Sequence, residues 1–326
     1  MARTEPTATH FAPALGTPQG GSAVRRRGKR RRTAVPYVMA APALALLALF
    51  VFYPLFENFR IAFYNWDSLG RPGQFVGLAN FGYVLTDSYF WNAVRHTAIF
   101  AISTVTVGMI IATLFAIWLN DPRLRGRSLL RTLIFLPAVT SSAILGIVFS
   151  LLLNPLTGPL DTLLTDLGLV KRPIDWLGNG STVLWVVIVI SIWQGLGIGL
   201  IVITAGLQSI DPEIYEAAAC DGAVGIRKHW YVTLPMIRPV LVTVFLISML
   251  GSIAVFDLVL TLTGGGPDFA SDVVATYVFR YASGQGFGQA TRIGYAAAAG
   301  LFMSAIILLA TFILLAARRV SQRRQS

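Results

Sequence analysis

Charge is scarce in this chain: charged residues make up 13% of its 326 residues, whereas soluble domains carry about 25%. Hydrophobic residues make up 55%. This composition excludes an ordinary soluble domain and indicates an integral membrane protein. The net charge of +11 would suit a nucleic-acid-binding protein. The apolar content and the placement of the basic residues argue against that class, so no nucleic-acid partner is predicted.

Cysteine and histidine are also nearly absent. The single cysteine, Cys220, excludes an internal disulfide bond and any metal site built from several cysteines. The three histidines are scattered in sequence and suggest no metal cluster. The sequence contains no G-x-x-x-x-G-K-[ST] phosphate loop, no H-E-x-x-H and no G-x-S-x-G. We therefore predict that the chain is not an enzyme and holds no metal or cofactor of its own.

One glycine-rich stretch, GLGIG at 195–199, looks like a dinucleotide loop. It lies within an apolar run and lacks the spacing of the third glycine. We interpret its glycines as positions where two helices approach closely or where a helix is locally distorted.

Six apolar runs are present, each near the ~20 residues needed to cross about 30 Å of hydrocarbon. The predicted fold is therefore all-α, a polytopic membrane protein with six transmembrane helices. The first run is expected to continue as a helix through Glu57 and Arg60. The predicted spans are 35–56, 93–119, 129–153, 182–207, 239–262 and 293–317.

Basic residues predict the orientation of these spans. The tail 1–34 ends in a block, Arg25 to Arg32, with seven basic residues in eight. This block is expected to be disordered and to contact anionic lipid, with nuclear targeting or DNA binding as the less favoured alternative. Further Lys and Arg residues follow the second and fourth spans and fill the tail 318–326, whereas the alternate connections hold few. The positive-inside rule then places both termini in the cytoplasm.

The connection after the fourth span is polar and begins with helix signals. Asp211 suits an N-cap, Pro212 suits the first helical position, and Glu213 adds negative charge to the first turn. These signals predict a short helix that ends near Cys220.

A break and a second helical segment are predicted next. Gly222 and Gly225 bracket the break, because glycine tolerates backbone angles that other residues avoid. The second segment is expected to end at Pro235 and to carry one apolar face, formed by Ile226, Trp230 and Leu234. A helix–glycine–helix unit outside the bilayer is predicted to dock into another protein.

The same connection carries a spaced motif. Glu216-Ala217-Ala218, Gly222, Val232 and Leu234-Pro235 match E-A-A-x3-G-x9-I-x-L-P, with Val232 in place of isoleucine. This pattern resembles the EAA motif of ABC importer permeases. The segments FVGLANFGYVL (75–85), LTGGGP (262–267) and FGQATRIGYAAAAG (287–300) are similar to the carbohydrate-uptake subgroup, the maltose and glycerol-phosphate type permeases.

The resemblance implies a type I ABC importer permease with a transmembrane domain at 35–317 in the bacterial cytoplasmic (inner) membrane. It implies that the loop 211–235 is a coupling helix seated on a cytoplasmic ATPase, which binds the ATP and Mg. The implied partners are two ATPase copies, a second permease subunit, a solute-binding protein and a sugar. The implied coupling residues are Glu216, Ala217, Ala218, Asp221, Gly222, Leu234 and Pro235.

Two regions of the fourth and fifth spans are predicted to bind the sugar, because sugar sites pair aromatic faces with hydrogen-bonding side chains in an apolar cavity. By resemblance, Gly195 and Ser248 fall at contact positions of the maltose-type permease. Other contacts of that site are replaced here by Ser191, Ile198, Ser252 and Val255, so a maltose pocket is not expected. The predicted binding residues are Ser191, Trp193, Gln194, Gly195, Ser248, Ser252, Phe256 and Asp257.

Alternatives remain open for several of these residues. Each serine and Trp193 would also suit ordinary helix packing. Asp257 needs a partner or water, and a structural hydrogen bond is slightly favoured over a ligand contact. The absence of mid-span Lys and Arg favours a neutral sugar, with a glycerophosphate or other polyol as the alternative cargo. Weaker alternatives are a homodimer, a gradient-driven transporter and an intramembrane protease. The scarcity of acidic residues in the middle of the spans argues against the gradient-driven transporter.

Overall fold

The structure is a computed structural model that describes residues 35–67, 73–284 and 291–323. The basic block at 25–32 and the last three residues of the chain lie outside these ranges. The chain divides into two units, Met1–Leu55 and Phe56–Ser326. Helix α1, Pro36–Ile61, crosses this division, contains a π-helical turn, and confirms that the first span continues through Glu57 and Arg60.

The second unit is almost entirely helical, which confirms the all-α prediction. In its described part, one strand pair joins β1 (Tyr64–Asn65) to β2 (Gln74–Phe75) in antiparallel register. The helices that follow are α2 Ala79–Thr86, α3 Ser88–Leu119, α4 Arg127–Phe135, α5 Ser142–Leu152, α6 Pro159–Asp166, α7 Val183–Gln208, α8 Pro212–Cys220, α9 Ile226–Ile253, α10 Asp257–Leu262, α11 Val274–Ser283 and α12 Ile293–Arg323.

Four of the described helices, α1, α3, α7 and α9, are long and apolar enough to cross a membrane. A fifth span is formed only if the bent pair Arg127–Val139 and Ser142–Leu152 is taken as one. The predicted sixth span coincides with α12, whose described apolar part is the shorter Ile293–Leu309.

Two predicted spans are not continuous helices. The run 129–153 bends by 97° between Val139 and Ser142. The run 239–262 is interrupted after Ile253, and its last six residues form α10. Each run is apolar on both sides of its break, so hydropathy does not reveal where either break lies.

Tertiary packing holds both of these interrupted pieces in place. Helix α10 packs against α5. A Cβ at Gly146 of α5 would lie 1.9 Å from Thr261 Oγ1 of α10, so only glycine permits this approach. The breaks therefore depend on contacts between segments distant in sequence.

The prediction that Pro235 ends the second helical segment of the connection is also wrong. Helix α9 runs without interruption through Pro235 and Pro239. A π-helical turn, His229–Thr233, ends two residues before Pro235. Such a turn accommodates the proline ring and its missing N–H, so the helix continues.

Helix α3 contributes residues to three apolar clusters of the described core. Its first turns pack with α11 and α12 around Phe90. Its middle packs with α5, α7 and α10 around Phe100. Its last turns pack with α7 and α9 around Leu119. One long helix therefore links all three apolar clusters of the described core.

The glycine-rich stretch of α7 permits close helix approach, as expected. A Cβ at Gly197 would lie 2.8 Å from the Cα of Phe135 and 3.0 Å from the Cβ of Ala138. A Cβ at Gly199 would lie 3.3 Å from that of Ala112. Gly195 differs, because a Cβ there would meet nothing within 4 Å.

Gly197→Ala is expected to destabilise the protein by roughly 1–3 kcal/mol, because a backbone atom of α4 has to move to admit the methyl group. Gly195→Ala, two residues away on the same helix, is the matched control and is expected to be nearly neutral. Thermal unfolding of the purified protein in detergent measures the difference. Equal melting temperatures for the two variants would contradict the close approach at Gly197.

Buried polar groups fix the segment between α10 and α11 to the beginning of α3. Asp272 is 2% exposed. Its Oδ1 accepts hydrogen bonds from Thr276 Oγ1 at 2.5 Å and from Arg280 Nη2 at 3.1 Å. The Thr97 hydroxyl of α3 accepts a hydrogen bond from the backbone N–H of Val274 at 3.0 Å. Arg280 Nη2 also donates to the carbonyl oxygen of Gly264, so these bonds hold the LTGGGP segment near the beginning of α3.

Stability is expected to fall as pH rises from about 4 to about 6. Burial raises the pKa of the Asp272 carboxyl from 3.8 to about 6, although Thr276 and Arg280 oppose the shift. The folded protein therefore binds this proton more tightly than the unfolded chain, and losing it costs roughly 1–3 kcal/mol. Melting temperatures measured across this range should decline more steeply for the wild type than for Asp272→Asn.

The Asp272→Asn variant also serves as the control for other groups. His96, whose ring Nδ1 lies 3.1 Å from the carbonyl oxygen of Asp272, is present in both proteins. Its contribution is expected to cancel in the difference between the two profiles. Parallel profiles would show that Asp272 does not take up the proton.

Candidate functional site

A cavity of about 450 Å³ lies between α3, α7, α9 and the beginning of α10. Its lining is mostly apolar, with a few hydroxyl, amide and carboxylate groups. A cavity of this size and composition is typical of a small-molecule site. Seven of the eight residues predicted to bind sugar line it: Ser191, Gln194, Gly195, Ser248, Ser252, Phe256 and Asp257.

Helix periodicity explains how these residues come together. On α7, Ser191, Gln194 and Gly195 are three and four residues apart, so they share one face. On α9, Ser248 and Ser252 are one turn apart and face the same cavity. The hydroxyls of these three serines make no hydrogen bond within the described part of the chain, so they remain available to a ligand.

Gln194 has a structural role that the sequence did not reveal. Its Nε2 donates to the backbone carbonyl of Thr140 and to Ser142 Oγ, both at 3.0 Å. Both acceptors lie at the 97° bend between α4 and α5. The amide therefore holds the bend against α7, and its side chain is already occupied where it borders the cavity.

Asp257 is the one charged residue among the described residues of the cavity lining. It is the first residue of α10, and it follows the break that ends α9. Its side chain is exposed, and within the described ranges it forms no hydrogen bond or ion pair. The structural hydrogen bond that was slightly favoured for Asp257 is therefore not formed with any described residue.

Trp193 lies outside the cavity lining. Its ring is 43% exposed and packs edge-on against Phe149 of α5, with 5.7 Å between the ring centroids. The direction of Trp193 follows from helix geometry. Its neighbours Ile192 and Gln194 lie at the two edges of the face that lines the cavity, so the residue between them points to the opposite face. The packing alternative considered for this residue matches its position.

Helix α3 supplies a wall of the cavity that sequence reasoning missed. Thr104, Gly108 and Ala112 line it at four-residue intervals. The Oγ1 of Thr104 is buried and has no hydrogen-bond partner within the described residues. A threonine, a glycine and an alanine on one face of an apolar span are a signal that would have pointed to this wall.

The connection between α7 and α9 is built as predicted at its beginning. Asp211 is the N-cap of α8, and its side chain accepts a hydrogen bond from the N–H of Glu213 at 3.0 Å. At the other end, the N–H of Ala223 donates to the carbonyl of Ala218 at 2.8 Å. Gly222 adopts φ +79°, the left-handed conformation that closes such a helix end.

The coupling residues predicted from the motif do not all point the same way. Glu216, Ala217 and Asp221 are exposed, whereas Ala218 is 7% exposed and faces the core. A Cβ at Gly222 would meet open space, so its backbone angle and not a close contact within this chain requires glycine. Of the last two, Leu234 is half-buried against the core and Pro235 is exposed.

Apolar side chains are exposed beside α8. Val224 is 63%, Ile226 83% and Trp230 67% exposed. Lys228 lies over the ring of Tyr215 at 5.3 Å from its centroid and ties the beginning of α9 to α8. The unit therefore combines a fixed backbone with an exposed surface that is both charged and apolar.

Comparison with known proteins assigns a family to this arrangement. Residues 104–325 match the family described as "Binding-protein-dependent transport system inner membrane component". The lactose transport system permease of Rhizobium radiobacter is 32% identical over 245 residues, 74% of this chain and 81% of that protein. The sn-glycerol-3-phosphate transport system permease of Agrobacterium fabrum is 31% identical over 280 residues, 85% of this chain and 92% of that protein.

Solved structures give the same result for the fold. A chain of a bacterial ABC transporter involved in the import of the acidic polysaccharide alginate has a TM-score of 0.76 and 27% identity, and the match covers 90% of this chain and 96% of that one. A second chain, from an alginate transporter in complex with an alginate pentasaccharide-bound periplasmic protein, has a TM-score of 0.77, 25% identity and coverages of 91% and 98%.

Proposed function

The chain belongs to the family of binding-protein-dependent transport system inner membrane components, and from this premise we propose that it carries a neutral disaccharide or oligosaccharide through a carbohydrate ABC importer. The cavity between α3, α7 and α9 is the proposed passage for the sugar. The observation that carries this proposal is the convergence of three unpaired serine hydroxyls, Phe256 and Asp257 on that cavity. Such groups suit the hydroxyl-rich, partly apolar surface of a sugar.

A neutral cargo is supported by the charges of the lining. Among the described residues that line the cavity there is no Lys, Arg or His to meet a phosphate or a uronate. The relatives include permeases for lactose and for trehalose and maltose, which are neutral sugars. They also include a permease for glycerol 3-phosphate, so an anionic polyol is the second candidate cargo.

Coupling to ATP hydrolysis is proposed to occur through α8. The exposed Glu216 would pair with a basic group of a cytoplasmic ATPase, while the backbone at Gly222 sets the direction in which the chain leaves α8. Closure of an ATPase dimer on ATP and Mg would then move α8 and, with it, α7 and α9. Access to the cavity would alternate between the two sides of the membrane.

The proposed assembly contains a second permease subunit that completes the passage, two ATPase copies and a solute-binding protein. The solved relative in complex with a periplasmic protein supports a binding-protein partner. In the proposed orientation both termini and α8 face the cytoplasm. This agrees with the basic residues that follow α3 and α8.

The test is reconstitution of this chain with the proposed ATPase, second permease and binding protein from the same organism. Proteoliposomes are supplied with a panel of neutral disaccharides and oligosaccharides, and with glycerol 3-phosphate as the anionic alternative. ATP-dependent uptake of a neutral sugar is expected. Uptake of glycerol 3-phosphate alone would favour the second candidate, and ATP-independent uptake driven by a proton or sodium gradient would contradict the proposal.

A further inference from the structure

The carboxylate of Asp257 is the one charged group among the described residues of the cavity lining, and it forms no ion pair within the described ranges. It borders the cavity, and the residue is exposed. Neither Lys, Arg nor His occurs among the described lining residues. An ionised group within a membrane protein is costly unless it meets water, a counter-charge or a ligand. Because Asp257 is exposed, water can meet its carboxylate, and the cavity wall then presents a negative charge to whatever enters.

The groups around Asp257 are hydroxyls. Ser191 lies on α7, and Ser248 and Ser252 lie on α9, and all three line the same cavity. A serine hydroxyl both donates and accepts hydrogen bonds, whereas an ionised carboxylate only accepts them. A sugar hydroxyl can donate to the carboxylate in a charge-assisted bond, which is stronger than a bond between neutral groups. The carboxylate group of a uronate has no proton to donate at neutral pH, a phosphate group is mostly dianionic there, and both carry the same sign of charge as Asp257.

We infer that Asp257 is a charge-selecting residue: it keeps the cavity negative, holds neutral cargo by accepting its hydroxyl protons, and rejects anionic sugars. This inference rests on the proposed passage of sugar through the cavity and names the residue that sets its substrate class. A cleft with apolar walls and one sign of charge changes local ion concentrations by about 10-fold to 1,000-fold. A single carboxylate is expected to act at the lower end of that range.

The first test measures the potential of the cavity without any sugar. The native Cys220 is replaced by alanine, and a reporter thiol is placed in the lining as Ser248→Cys. In the reconstituted importer, this thiol is modified by a cationic trimethylammonium methanethiosulfonate and by an anionic sulfonate methanethiosulfonate. Each rate is divided by the rate of the same reagent with a free thiol in solution.

The cationic reagent is expected to react about tenfold faster than the anionic one, and Asp257→Asn is expected to reduce this ratio to near one. Asp257→Glu keeps the charge and should keep the ratio. Asp268→Asn removes an exposed carboxylate that is not part of the lining, so it should leave the ratio unchanged. An unchanged ratio in Asp257→Asn, or a reporter that reacts with neither reagent, would overturn the inference.

The second test concerns the cargo. A neutral disaccharide that the importer takes up is compared with its uronic acid counterpart, in the wild type and in Asp257→Asn. The variant is expected to lose about tenfold or more of the discrimination against the acid. Equal discrimination in both proteins would remove the role of Asp257 and leave the proposed function intact. Failure to take up any neutral sugar in the wild type would instead contradict the proposed function.

Discussion

Gly195→Trp is expected to reduce sugar uptake by about 100-fold or more, while the protein still reaches the membrane and unfolds at a normal temperature. Gly195 lines the cavity, and a Cβ built there meets nothing within 4 Å. An indole can therefore enter without displacing a neighbouring helix. It would occupy much of the roughly 450 Å³ that the sugar needs. A loss of uptake in a variant that still folds would show that the sugar passes through this cavity.

The matched control is Val189→Trp on the same helix. Val189 is 63% exposed and is not part of the cavity lining. The same side chain is therefore added outside the passage, and uptake is expected to stay within about twofold of the wild type, as for other surface substitutions. Proteoliposome uptake and thermal unfolding are measured for both variants. Normal uptake by Gly195→Trp would show that the cargo does not pass through this cavity.

Glu216→Ala is expected to reduce sugar uptake by about 10-fold to 100-fold and to remove the stimulation of ATP hydrolysis by the loaded binding protein. The side chain of Glu216 is exposed on α8, so its loss costs this chain little stability. Truncating one partner of a hydrogen-bonded charge pair at an interface costs about 2–5 kcal/mol. A large transport defect with an unchanged melting temperature would locate the role of Glu216 in a partner contact.

Glu213→Ala, on the same helix and also exposed, provides the control for the loss of a negative charge. Glu213 is not part of the matched motif and is expected to affect coupling by less than about threefold, as a charge at the rim of an interface does. Glu216→Gln should be intermediate, because it keeps the shape and removes the charge. The coupling role of Glu216 fails if Glu213→Ala and Glu216→Ala are equally impaired, or if both transport normally.

The two predictions are physically connected by the order of the helices. The cavity residues lie on α7 and α9, and α8 is the short helix between them in the chain. The Schellman-type end of α8 at Gly222 and the cation–π contact of Lys228 with Tyr215 make this connection firm. A displacement of α8 is therefore expected to reach both walls of the cavity without being absorbed by a loose loop.

Several features follow from the sequence alone because they depend on local chemistry. The apolar runs correctly predicted the long helices α1, α3 and α7, since only an internally hydrogen-bonded helix satisfies its backbone within a membrane. Asp211, Pro212 and Glu213 determined where α8 begins, and the E-A-A spacing identified the family. The family resemblance pointed to Ser191 on α7 and to Ser248 and Ser252 on α9, and helix periodicity predicts that the last two share one face.

Other features were decided only by tertiary contacts. The bend after α4 is held by Gln194 of α7, and the separation of α10 from α9 is held by its packing on α5. The choice between the two alternatives left open for Trp193 depends on its contact with Phe149 of α5, a residue distant in sequence. The wall that α3 contributes and the unpaired state of Asp257 likewise depend on which helices become neighbours. Local patterns determine which elements form, whereas the packing of distant elements determines the cavity between them.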